Sequence, residues 1–451
     1  MRFVFLLVIG VAAAVLSTFW WTQAEEPRPA TQAAPARDTS PAPAKSNDKS
    51  NDKTKPPQKP GKSSQAVPAK PDNCIPGPLD GRDGRRLALE RFRPTSMLKL
   101  PNRQPPRAKF PVVDVHVHPR IRLHHSAEQL DAFIKTMDEN NIAVCVSLDG
   151  HLGPELDAHL KYLKKYADRF AVFANIDWRG AGQMADPATW DCQRPEFGRR
   201  IAGELADAKA RGAVGLKIFK NFGLEYRNPD GSFIAIDDPR WNPIWRACGE
   251  LGLPVIMHTA DPTAFFEPID ERNERWEELS RHPDWSFYGK DFPQKNDLLA
   301  ARNRVIARHP KTSFIGAHVA NNPEDLATVA AWLDEFPNLN VEIASRINEL
   351  GRQPYTARKF FLKYADRIMF GTDGPRETRR LLPYWRFLET DDEYFPYAEN
   401  PFPPQGLWNV YGIHLPDEVL RKVYHENAAR LIPGVKAKLE RVLAARESKS
   451  Q

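Results

Sequence analysis

From residue 111 onward the chain repeats one pattern eight times, a short apolar run followed by an amphipathic stretch. The apolar runs are Val112–His118, Ala143–Leu148, Phe170–Asp177, Ala213–Phe219, Pro254–Thr259, Ser313–Val319, Asn340–Ala344 and Ile368–Asp373. Their β-branched and aromatic density suits strands buried on both faces. The stretches Ala127–Asn140, Pro154–Tyr166, Pro195–Arg211, Pro239–Leu251, Asn296–Arg308, Pro323–Glu335, Pro354–Tyr364 and Pro416–Leu431 carry apolar residues at helical spacing. Eight strands alternating with eight helices predict an α/β fold, a (β/α)8 TIM barrel spanning 111–440, with 441–451 as a C-terminal tail. A doubly wound sheet is the alternative. It has fewer strands as a rule and often a Gly-rich loop after the first, where this chain has His118-Pro119.

Three segments break the repeat: Phe222–Asp238, Asp261–Lys295 and Glu377–His414. Each follows a strand, so in a barrel each lies on the face where strands end. The last two are rich in aromatic residues, including Phe265, Phe266, Trp276, Phe287, Trp385 and Tyr397. They predict either a partly apolar pocket under a lid or a subdomain packed on itself.

Ahead of the repeat lies a different kind of sequence. Residues 1–24 read as a signal peptide: Arg2, an apolar run from Phe3 to Val15, and small residues at Thr22 and Ala24. An uncleaved anchor is the rival reading, because Leu16 to Trp21 extends the apolar run. Either predicts export to the periplasm or cell envelope, the anchor adding an N-terminal membrane tether. Residues 25–72 hold ten prolines and no aromatic residue, too little apolar surface to offset chain entropy, and read as a disordered linker. Residues 73–110 form an arm, with a short helix expected at Leu87–Phe92.

Half of the formal charge of +6 falls in that linker, nine Lys/Arg against six Asp/Glu, so the pI of 9.0 is weak support for nucleic-acid binding, and no basic-aromatic motif for it is present. A small-molecule substrate is expected instead, and association with further copies of the chain is left open. The cysteines, Cys74, Cys145, Cys192 and Cys248, form no CxxC pair, which argues against a thiolate zinc site. Buried thiols are the default, with a Cys74–Cys192 disulfide open to an oxidising compartment.

The chemistry gathers at the strand ends. The first strand ends with His116 and His118, two residues apart and so on one face. The fourth supplies Lys217, the fifth His258, the sixth His318 and the eighth Asp373. Each polar residue ends an apolar run, and leaving such groups unpaired inside a fold costs about 1–3 kcal/mol apiece. Four histidines and one aspartate, all at strand ends, are hard to explain by packing, and histidine is a common ligand for a divalent metal such as zinc. Arg346, just past the seventh strand, could grip a substrate carboxylate or pair with Glu342 or Glu349. Asp149, His151, Asp177 and Trp178 also end strands and could line the pocket, whereas Met257 and Trp245 are expected in the core and Lys220 as a loop charge.

His-x-His in strand one, the strand-five and strand-six histidines, Gly371-Thr-Asp373 and the closing Glu426-Asn-Ala-Ala-Arg430 together resemble the amidohydrolase superfamily. The resemblance covers about 112–431 and is closest to the amidohydrolase-related branch that includes non-oxidative decarboxylases. It implies a divalent ion, most plausibly Zn2+, on His116, His118, His258 and Asp373, with His318 as base or acid beside it. It implies one ion, or two if Lys217 is carboxylated; a plain Lys217 ammonium would instead turn toward a substrate anion. The implied activity is metal-dependent hydrolysis of an amide, lactone or ester. A carboxy-lyase on the same site is the alternative, and a non-catalytic, envelope-tethered binding barrel is a third reading.

Overall fold

The computed structural model describes Leu87, Arg91, 94–398 and 408–450. The signal, the linker, Cys74 and most of the expected helix Leu87–Phe92 lie outside the described residues. The described residues from Leu100 onward belong to one compact unit, and 94–99 to another. No helix among the described residues is long and apolar enough to cross a membrane.

The expected barrel is present. Strands β1 (Val112–Val117), β2 (Ile142–Ser147), β3 (Phe170–Asn175), β4 (Ala213–Ile218), β5 (Val255–Met257), β6 (Phe314–Gly316), β7 (Leu339–Glu342) and β8 (Ile368–Met369) form one parallel sheet in sequence order. The chain beyond β8 closes it, through Val115 N–H donating to Phe370 O and a parallel bridge between Val117 and Gly374. Helices α1 (Ala127–Glu139), α2 (Gly153–Leu163), α3 (Phe197–Arg211), α4 (Asn242–Leu251), α5 (Lys295–Arg308), α6 (Leu326–Glu335) and α7 (Pro354–Lys363) follow the first seven strands. Inside the barrel Val113, Val115, Val146, Phe173, Ile256 and Ile315 make a dry core. Gly215 is required there, since a Cβ on it would stand 2.4 Å from the Phe173 ring.

The segment Glu377–His414, which broke the repeat, holds a further helix, α8 (Thr378–Glu389), which buries Trp385 and Phe387. Its helical pattern is masked by Pro383, which sits inside the helix. The closing helix α9 (417–431) is followed by α10 (Val435–Ser450), which runs through the boundary placed at 440. Ile432, Val435, Leu439 and Val442 join the core inside the barrel, so the tail packs against the end where the strands begin. The aromatic insertions pack largely on themselves, with Phe266 on Phe287 and Phe287 on Phe292, while Trp276, Tyr288 and Tyr394 stay exposed. Cys145, Cys192 and Cys248 are buried free thiols, and Met257 and Trp245 are core as expected.

Candidate metal centre

Three of the strands stop short of the chemistry, while His116 lies within β1 and Lys217 within β4. β5, β6 and β8 each end before their expected polar residue, which sits one to four residues beyond, on irregular backbone. β1 is irregular in its own way. Asp114 pairs with Cys145 and Val117 with Ser147, so β1 spends one residue more than β2 over the same rise. Such a bulge re-aims side chains. Here His116 Nε2 comes 3.2 Å from His118 Nε2.

Asp373 joins them across the barrel seam, its Oδ1 at 3.8 Å from His116 Nε2 and 3.5 Å from His118 Nε2. Asp114 makes that meeting possible. Its carboxyl accepts from the His116 and Thr372 amides, each at 3.1 Å, and from the Thr372 hydroxyl at 2.5 Å, tying β1 to the residue before Asp373. Burial pushes the Asp114 carboxyl up to about 7. Gly371 passes so close that a Cβ would lie 2.6 Å from Glu342 Oε2 and 3.2 Å from the His116 Cβ.

The histidines are held from behind. His116 Nδ1 lies 2.9 Å from Glu342 Oε1, and His118 Nδ1 lies 2.5 Å from Asp149 Oδ1. Glu342 also accepts from the His318 amide at 2.8 Å, and His318 Nδ1 meets Ala344 O at 2.7 Å. A carbonyl only accepts, so Nδ1 of His318 carries the proton and its Nε2 carries the lone pair. Burial is the first cause that depresses His116, His258 and His318, with His258 pushed down to about 4. Neutral imidazole is the form that binds a metal. Burial works against the Asp373 carboxylate, but Arg122, His116, His118 and Arg376 outweigh it and hold the group well below its usual range.

The donor set fits a divalent ion. Metal–ligand bonds of about 2.0–2.2 Å place tetrahedral neighbours roughly 3.3 Å apart. His116, His118 and Asp373 already stand near that spacing, each imidazole oriented by a carboxylate on its other nitrogen. His116, His318 and Glu342 form a second close group. His258 is in neither group: its ring lies 4.5 Å from that of His318, but its Nε2 is 3.3 Å from Asp261 Oδ1. Lys217 is buried on β4 with Nζ 3.5 Å from His116 Nε2, and burial lowers its amine to about 8.

Other expectations resolve differently. Arg346 pairs with neither Glu342 nor Glu349. Glu342 serves the two histidines, Glu349 pairs with Arg275, and the nearest carboxylate oxygen to Arg346 is Asp261 Oδ1 at 4.0 Å. Arg346 is buried and its Nε has no hydrogen-bond partner. Lys220 is the expected loop charge, on the turn after β4, and it is ion-paired with Asp261. Asp149 backs His118, while the His151 amide donates to Asn175 Oδ1. Sequence reasoning missed Asp114, Arg122, Asp261, Arg302 and Arg376. A carboxylate in an apolar run, as in Val113-Asp-Val115, was the available signal, because an unpaired one there is costly.

His318 rests on an unusual backbone. His318, Val319, Ala320 and Asn321 have φ of 55°, 57°, 53° and 57°, one left-handed turn built without glycine. Such a conformation costs roughly 1–2 kcal/mol per residue. Arg302 braces it: fully buried against Trp332, it donates from Nη1 to Ala320 O at 2.5 Å. Asn321 Oδ1 accepts from the Thr259 amide at 2.9 Å and ties the turn to the chain beyond His258. Arg302→Leu should therefore lose about 1–3 kcal/mol of stability through the orphaned carbonyl. It should also lower kcat as His318 turns away. Urea midpoints and steady-state rates test this, and an unchanged kcat would show the turn to be held by other contacts.

The family model described as Amidohydrolase matches residues 159–434. The chain belongs to the amidohydrolase family. Among solved structures, this amidohydrolase is similar to a TIM-barrel protein from Bordetella bronchiseptica, at 17% identity over 73% of this chain and 100% of that one, with a TM-score of 0.41. It is also similar to a 2,6-dihydroxybenzoate decarboxylase, at 18% identity over 71% and 99% of the two chains with a TM-score of 0.41. A third is a dihydroxybenzoic acid decarboxylase from a Polaromonas species, at 16% identity over 71% and 96%, with a TM-score of 0.42.

The neutral buried histidines make stability pH-dependent in the metal-free protein. His116, His258, His318 and the core His159 have folded pKa values below the ordinary 6.5, burial being the first cause in each. Below 6.5 the unfolded chain binds protons that the folded chain refuses. Stability is thus fully present above about pH 6.5 and is lost toward pH 4, at up to about 1.4 kcal/mol per unit for each group. Asp114, raised to about 7, offsets one group with the opposite sign. The urea midpoint of chelator-treated protein should fall between pH 7.5 and 5.5, and a midpoint that rose would overturn the neutral-histidine assignment.

Proposed function

We propose that this amidohydrolase is a metal-dependent hydrolase of a small substrate with an amide, lactone or ester bond. The observation that carries the reading is the convergence of His116 Nε2, His118 Nε2 and Asp373 Oδ1 within 3.2–3.8 Å, backed by Glu342 and Asp149. These three would hold the ion, most plausibly zinc, with the remaining positions left to His258, substrate or water. A bound divalent cation supplies Lewis acidity toward a carbonyl and toward water.

The protein's own groups do the rest. Asp373, charged and beside the donors, accepts the proton of the attacking water and returns it to the leaving group. His318, with its Nε2 lone pair, serves as the second proton carrier. Glu342 and Asp149 keep the imidazoles of His116 and His118 in the binding tautomer. Lys217, buried beside His116, would help hold a second ion if carboxylated and would face a substrate anion if a plain amine. Metal analysis with an anomalous-scattering map separates these, because two ions require the former.

A carboxy-lyase is the second reading, favoured by the cations around the site. Arg122 and Arg376 approach the two oxygens of Asp373 at 3.7 and 3.9 Å, and Arg346 has an unpartnered Nε. In that reaction these guanidiniums would hold a substrate carboxylate and His318 would protonate the carbon that loses it. The deciding experiment measures CO2 release against acid, alcohol or amine release across a substrate panel. Release of carbon dioxide together with the decarboxylated substrate, and no acid, alcohol or amine from bond hydrolysis, would overturn hydrolysis. We also propose that the barrel acts outside the cytoplasm, on the strength of the apolar N-terminal run. Fractionation of the full-length protein tests that.

A further inference from the structure

The end of the barrel opposite the histidine cluster carries a concentration of charge that the catalytic reading does not use. Arg107 precedes β1, Arg169 precedes β3, and Arg441 and Arg446 project from α10. Together with Asp138 and Asp168 they line an open cavity of about 660 Å³. Four guanidiniums face two carboxylates, leaving two positive charges in excess.

Two of the four are fixed in place. Arg169 donates from Nε to Ala143 O at 2.7 Å and from Nη2 to Ile142 O at 2.8 Å. Arg446 donates from Nη1 to Asn141 Oδ1 at 3.0 Å and from Nη2 to the same Ile142 O at 3.2 Å. Both also reach one carboxylate, Asp138, at 2.9 and 3.4 Å. Arg441 pairs with Asp168 at 2.9 Å. Arg107 has no carboxylate within 4 Å among the described residues, and it lies close enough to Arg446 to repel its charge.

Like charges gathered this way cost energy that one shared aspartate does not return. Guanidinium forks match the oxygens of a phosphate in bidentate fashion, and forks already held by backbone carbonyls lose little freedom on binding. We propose that this cavity is a binding site for a phosphate-type oxyanion, remote from and independent of the catalytic centre. The same chemistry is presented by a soluble phosphate ester and by an anionic lipid headgroup.

The test uses the full-length protein at low salt, with pyrophosphate followed by calorimetry and phosphatidylglycerol vesicles followed by sedimentation. Arg107→Ala combined with Arg441→Ala, both away from the carbonyls of β2, should weaken pyrophosphate by roughly tenfold or more. Asp168→Asn, which removes a negative charge and frees Arg441 without removing a donor, should tighten it. Metal content should stay unchanged in both. Pyrophosphate binding without vesicle binding assigns a soluble ligand. Vesicle binding that pyrophosphate displaces assigns a headgroup. No binding in either arm, or binding indifferent to both variants, overturns the proposal.

Discussion

Replacing His116 with alanine should abolish turnover and empty the metal centre, and Asp373→Asn should do the same. The expected loss exceeds the roughly 10–100-fold that follows removal of an outer partner of a metal ligand. The reason is geometric. His116 is the hub of the cluster: its Nε2 is near His118, Asp373 and Lys217, and its Nδ1 is on Glu342. Alanine there also leaves the buried carboxylate of Glu342 without one of its partners, so stability should fall as well. Asp373→Asn keeps the shape and removes the charge, and separates the two effects. Metal stoichiometry, activity and the urea midpoint of both variants are the measurements. A variant of either kind that kept a full metal complement would disprove the ligand assignment.

His318→Asn should lose activity by about 10²–10⁴-fold, the span general acid–base catalysis commonly contributes, while retaining its metal. His318 is set apart from the three-donor group by its surroundings. Its Nδ1 is committed to Ala344 O, its amide to Glu342, and its backbone to the braced left-handed turn. That places one lone pair beside the cluster without making the ring part of it. Metal content decides the matter. Loss of the ion from His318→Asn would move His318 into the ligand set, and would favour the close group it forms with His116 and Glu342.

The two variants also mark where sequence reasoning reaches its limit. His116, His118, His318 and Asp373 stood out because each ends an apolar run, and the fold brings all four together. His258 stood out equally, yet its Nε2 turns to Asp261, three residues on. No periodicity foretells that, because β5 ends at Met257 and the direction of the chain beyond it is set by what it packs on. Arg346 illustrates the same limit. Its candidate partners were read from proximity in the chain, and both were taken by groups far away in sequence.

The strand–helix alternation, and with it the barrel, is a local property: burial on both faces demands apolar β-branched runs, and parallel pairing demands a helix between them. Those requirements are written residue by residue, so the chain alone determined the fold class, the strand order and the end of the barrel where chemistry gathers. Which nitrogen of each imidazole faces the centre, which carboxylate stands behind it, and how Arg302 steadies His318 were decided only by tertiary contacts. These are contacts between residues tens to hundreds of positions apart, held at hydrogen-bond distances that no local pattern encodes.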